Sequence, residues 1–171
     1  SPDGSKLAWL SNAGELDQLR VLRLASSEVE TLVQGRVLLP PAWVQGLRAL
    51  AWSADSQQLF FLETQLGQTS LYSFALNTRE IIEVETAPYT LIEQPCVSAK
   101  GELALIAQSA AKPPRILRIS GGQTEVIARS QSDSLPAAFL SQPQALAWQS
   151  SDGVTVHGLY YPPANPDFEA A

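Results

Sequence analysis

A chain of 171 residues, 45% hydrophobic and 16% charged, is long enough to bury a core and too apolar to remain disordered. Its net charge of −6 excludes partners that demand a basic face, so neither nucleic acid nor an anionic membrane is expected. The single cysteine, Cys96, rules out an internal disulfide and fits a cytoplasmic protein, and no apolar run is long enough to span a bilayer.

The chain opens on a polar turn, Ser1-Pro2-Asp3-Gly4, that leads into the apolar Leu7-Ala8-Trp9-Leu10. The spacing predicts a strand over 6–12, a second over Gln18–Ala25 and a third over Glu28–Gln34. Turn residues Asn12-Ala13-Gly14 and Ser26-Ser27 separate them. In the third, Val29, Thr31 and Val33 alternate with Glu28 and Glu30, which predicts one solvated face. Gly35–Gln45 reads as a connector, because Pro40-Pro41 cannot donate to a ladder.

The turn returns as Ser53-Ala54-Asp55-Ser56, between Leu50-Ala51-Trp52 and Leu59-Phe60-Phe61-Leu62. Four strands are expected here: Gly46–Trp52, Gln57–Thr64, Thr69–Leu76 and Arg79–Thr86. The run 59–62 has no polar alternation, so both of its faces must be covered. The last strand carries Glu80, Glu83 and Glu85 and suits an outer rim. After Ala87-Pro88-Tyr89, four more strands are expected: Leu91–Val97, Glu102–Ser109, Pro114–Ser120 and Gln123–Arg129. Ser98-Ala99-Lys100-Gly101 is a degraded copy of the turn, Gly121-Gly122 a hairpin turn, and Lys112-Pro113-Pro114 a loop.

From Ser1 to Ser53 is a step of 52 and from Ser53 to Ser98 a step of 45. A repeat of that length built from short strands, each set running from apolar to charged, is the signature of a β-propeller. The fold class is therefore all-β: a partial propeller of about three four-stranded blades over 1–130, the first lacking its inner strand. An open arc of blades leaves apolar flanks, so the chain alone is expected to self-associate.

A linker, 131–144, follows. In it Ser132–Leu140 holds at most a short helical turn, capped by Ser132 or Asp133 and limited by Pro136. Residues 145–171 begin with a hairpin whose turn is Asp152-Gly153, with Thr155, His157 and Leu159 on one face, and end in a loop-like tail over 164–171. Leu146-Ala147-Trp148-Gln149 matches Leu50-Ala51-Trp52-Ser53, so a fourth blade is the alternative parse. Pro162-Pro163 and the lack of a third strand favour a joint to another domain.

That joint, Gln144 through the aromatic Trp148, Asp152-Gly153, then Gly158-Leu159-Tyr160-Tyr161-Pro162, resembles serine peptidases of the prolyl oligopeptidase family. The likeness is to their dipeptidyl-peptidase and acylaminoacyl-peptidase branches. Gln144 stands where that family often has Glu. The resemblance implies that 145–171 begin an α/β-hydrolase domain, and that the propeller gates a Ser-Asp-His site for short peptides. Its implied partners are further blades and a hydrolase domain of the same chain. The sequence holds no Gly-x-Ser-x-Gly elbow and no His-Gly-Gly, so no catalytic residue is assigned within it. The rivals are a TolB-like or WD40-like propeller that only binds proteins, and a scaffold of repeats with no activity.

No cofactor and no metal are expected. His157 has neither nucleophile nor acid beside it in the sequence and reads as a strand residue. Cys96 reads as a small core residue. Asp3, Asp55 and Asp152 could suggest calcium, but an aspartate in a turn binds its own backbone. Glu80, Glu83 and Glu85 read as a solvated rim, with capture of a peptide amino terminus as the sharper alternative. Trp9, Trp52 and Trp148 are expected to pack between blades, and Trp43 has no assigned role.

Overall fold

The computed structural model describes residues 1–12, 14–132 and 135–168. Its strands form antiparallel sheets side by side. The first holds β1 (Lys6–Asn12), β2 (Asp17–Arg23) and β3 (Glu28–Arg36), in that order. The second holds β4 (Leu50–Trp52), β5 (Gln58–Gln65), β6 (Gln68–Ala75) and β7 (Ile81–Val84). The third holds β8 (Leu91–Val97), β9 (Leu103–Ser109), β10 (Lys112–Ser120) and β11 (Gln123–Arg129). A separate hairpin pairs β12 (Gln144–Gln149) with β13 (Thr155–Tyr160). One three-stranded sheet followed by two four-stranded sheets match part of a propeller.

The two-sided run in β5 does what its composition demands. Leu59 and Phe61, both fully buried, meet Leu19, Val21 and Val33 of the first blade together with Phe74. Leu62 turns the other way and packs with Ile92, Leu105, Ala107 and Leu117 of the third blade, where Phe60 joins it. One strand thus serves two cores, because successive side chains leave a strand on opposite faces. The outer strands β7 and β11 have no buried residue, as their charge predicts. The outward flanks remain apolar, with Leu7 and Val29 exposed on the first blade and Ile116 on the third.

The repeated turn has one hydrogen-bond plan. The Ser1 hydroxyl donates to Asp3 Oδ1 at 2.5 Å, and the Ser5 amide donates to the same oxygen at 3.0 Å. Ser53, Asp55 and Gln57 repeat this at 2.6 and 3.0 Å. Ser150, Asp152 and Val154 repeat it again in the last hairpin. The fourth position is glycine in three copies, Gly4, Gly101 and Gly153, all with positive φ. The second blade has Ser56 there, at φ 60 and wholly buried. Its hydroxyl accepts the Asp3 amide at 3.2 Å and so ties two blades together. Ser56→Ala should therefore cost about 1 kcal/mol in urea unfolding, through the lost bond. Ser56→Gly should cost almost nothing, since relief of left-handed strain offsets the same loss. Equal losses for both variants would contradict this.

Several expectations are corrected by β-bulges. In β3, Leu19 faces Val33 but Arg20 faces Thr31, so Leu32 is an extra residue. The face then switches: Val29 lies exposed, while Glu30 shares the side of Val21 and accepts Arg23 at 3.1 Å and Arg79. A second extra residue, Gly35 at φ 76, lets β3 run on to Arg36, so the connector begins later than expected. In β8 the register shifts between Glu93 and Cys96, with Gln94 at φ 55. This turns Cys96 out to solvent, not into the core. Lys112-Pro113-Pro114 belongs to β10, because a bulge between Lys112 and Arg115 spares the prolines a ladder bond.

In the linker, a single 3-10 turn, Ala137–Phe139, starts from Pro136 without a side-chain cap, so Ser132 does not cap it. Asp133 and the turn residue Ala13 lie outside the described residues, as does the end of the tail, 169–171. No helix among the described residues is long and apolar enough to cross a membrane.

Candidate functional site

Antiparallel order sorts the loops onto two faces. The blade turns at 1–5, 53–57 and 98–102 lie on one. On the other, β4 and β8 begin, β3, β7 and β11 end, and the β5–β6 turn projects. This connector face also releases the chain toward the linker and the last hairpin.

The face holds an apolar cavity of about 280 Å³. Leu38, Leu39 and Pro40 of the connector, Leu62 of β5, and Leu91 and Ile92 of β8 wall it. Arg48 and Glu93 supply its charges, and Thr64 and Thr69 its hydroxyls. Two anchors hold the connector over it. Asp17, 6% exposed, accepts the Leu38 and Leu39 amides at 2.8 and 2.9 Å and the Asn12 side chain at 3.0 Å. Burial pushes its carboxyl up, but these three donors outweigh burial and hold it below the ordinary carboxylate range. Farther along, Gln94 accepts the Arg48 amide at 3.2 Å and donates to the Gly46 carbonyl at 3.1 Å. The bulge that turned Cys96 outward is what gives Gln94 this reach. Between the anchors Trp43 stands 84% exposed.

Beside the cavity, Arg36 pairs with Glu63 and lies 5.2 Å from the Tyr72 ring centre. Burial raises the Tyr72 phenol, helped by Glu83 and Glu63. This cluster joins the first two blades.

The hairpin β12–β13 lies on the same face, against the β5–β6 turn. A Cβ at Gly67 would stand 2.9 Å from Leu159 Cδ1. The hairpin therefore meets the second blade at its β5–β6 turn and pairs with no strand of the three blades. Its own ladder is locked by Trp148, whose ring lies 3.0 Å from where a Cβ on Gly158 would be. At its base, the Ser141 hydroxyl donates to the Pro162 carbonyl at 2.6 Å.

The residues weighed in the sequence are scattered. His157 is exposed on β13 opposite Ala147. The carboxylate of each turn aspartate takes its hydrogen bonds from its own turn. The Ser1, Ser53 and Ser150 hydroxyls lead the causes that lower Asp3, Asp55 and Asp152. Glu80, Glu83 and Glu85 are exposed, and Glu85 accepts the Ala87 amide at 2.8 Å. Trp52 packs into the core between the first two blades, as expected. Trp148 does not, being half-exposed on the hairpin, and Trp9 stacks under Arg20 at 5.5 Å. Among the described residues no three of His, Cys, Asp and Glu gather to hold a metal ion. The connector cavity escaped the sequence reading; its one trace there was Pro40-Pro41 beside an unexplained Trp43.

No protein-family model matches the chain, and no curated protein matches it. Solved structures do. A Mycobacterium tuberculosis puromycin-hydrolyzing peptidase superposes with TM-score 0.71 at 19% identity, over 100% of this chain and 35% of that one. A puromycin hydrolase gives 0.70 at 18%, over 99% and 34%. A putative TolB from Agrobacterium tumefaciens gives 0.60 at 14%, over 95% and 57%. At such identities the likeness establishes the fold, and the chain spans about a third of the length of the two hydrolases.

Proposed function

We propose that these blades belong to the propeller of a serine peptidase that resembles the prolyl oligopeptidase family. The observation that carries the reading is the hairpin. The superposition on the M. tuberculosis peptidase takes in the whole chain, so the likeness extends through β12–β13, whose Asp152-Gly153 and Tyr161-Pro162 fit the family's joint. In this reading 145–171 begin a hydrolase domain seated on the connector face. A Ser-Asp-His site outside these residues performs acyl transfer to the serine and then hydrolysis. The blades cover that site and admit only short or unfolded peptides. A cytoplasmic setting fits a chain with one cysteine.

The test is a pair of assays on the whole protein. It should hydrolyse short peptides and leave a folded protein of the same sequence content intact, while residues 1–171 alone turn over nothing. Turnover by 1–171 alone, or no peptidase activity in the whole protein, would overturn the reading. The second outcome would favour the TolB-like binding propeller.

A further inference from the structure

We propose that the two-residue turn Leu66-Gly67 is the seat on which the β12–β13 hairpin docks, so that the second blade, not the linker, sets the hairpin's orientation. The inference depends on the proposed function only for what the hairpin carries.

The turn itself is odd. β5 and β6 pair as far as Gln65 opposite Gln68, leaving Leu66 at φ 50 and Gly67 at φ 76. Two left-handed residues make the hairpin turn that asparagine followed by glycine serves best. A leucine there is disfavoured by its own backbone. Nor does a core claim it, since Leu66 is 52% exposed. Something else makes use of its apolar side chain.

Leu66 faces a cavity that it shares with the hairpin. Leu159 lies directly on the backbone of Gly67, with Cδ1 and Cγ at 2.9 and 3.3 Å from the position of a Cβ. Leu66 and Gly67 bound a cavity of about 200 Å³ together with Leu146, His157 and Leu159. His157 and Leu159 are two of the three residues on one face of β13. The hairpin also needs support, because a lone two-stranded hairpin is marginal in water and every residue of β12 is exposed. Trp148 across Gly158 and Ser141 on Pro162 make it one unit. Holding it at Leu159 therefore holds all of it.

Hydrogen exchange on the intact chain tests this. Leu159→Ala should speed exchange of the β12–β13 amides about tenfold, and leave the β5 and β9 amides unchanged. Leu66→Asn is the sharper variant. It suits the turn, so β5–β6 amides should hold or slow, while the hairpin amides quicken as in Leu159→Ala. The double variant should exchange no faster than either single, because both act on the same seat. Hairpin exchange within about twofold of the parent in both singles, or a double effect that multiplies the two, would overturn the proposal. Neither readout uses catalysis, so failure of the peptidase reading leaves this result standing.

Discussion

Phe61→Ala is expected to remove about 4 kcal/mol of unfolding free energy, the largest loss foreseen for any single side chain here. Phe61 is fully buried and stacks on Tyr72 with centroids 5.6 Å apart and planes 21° apart. Its neighbours come from two blades, so truncation opens a void along their whole contact. A blade is held by its neighbours, and the damage should stay local. Amides of β2 and β5 should lose more protection than those of β9, which packs in the other core. Urea unfolding would show a lower midpoint with an unchanged slope. A loss below about 1 kcal/mol would mean that the blades do not pack on one another in this way.

Asp17→Ala should cost about 3 kcal/mol, because it strands the Leu38 and Leu39 amides and the Asn12 side chain. Leu38 is 3% exposed, so water cannot replace the carboxylate at its amide. The loss also has a pH signature. The folded carboxyl is held below its ordinary value, so the folded state binds that proton less readily than the unfolded chain does. Its stabilisation is complete above the unfolded value, near pH ~4, and drains as pH falls through the folded value. The gap between parent and variant should stay level above about pH 6 and narrow on acidification below about 4. A gap that widens in acid would contradict the arrangement. A level gap throughout would mean that Asp17 acts by shape alone.

Much of this fold was legible because its signals are local. An aspartate or serine in a four-residue turn, an apolar run such as 59–62 and a pair such as Gly121-Gly122 each act within a few residues. The bulges were not legible. One extra residue at Leu32 or Gln94 leaves no mark on composition, yet it moves Val29 and Cys96 to the opposite face. Pro113-Pro114 misled for a sound reason, since proline seldom sits in a ladder, and a bulge removes that objection. The connector cavity and the seat under Leu159 depend on residues far apart in sequence. No periodicity reports that Gly67 will meet Leu159. Ser56 and Leu66 lie between these cases: each is the wrong residue for its local turn, Ser56 bonds the Asp3 amide of another blade, and Leu66 borders a cavity it shares with the distant hairpin.

The most direct measurement is to read the native coding frame beyond Ala171, for about 250 codons, the span of one catalytic domain. A Gly-x-Ser-x-Gly elbow followed by an aspartate and a histidine is the predicted result, and it would join these blades to a serine hydrolase. A stop codon soon after Ala171, or further Ser-x-Asp-Gly blades in place of that domain, would contradict the account.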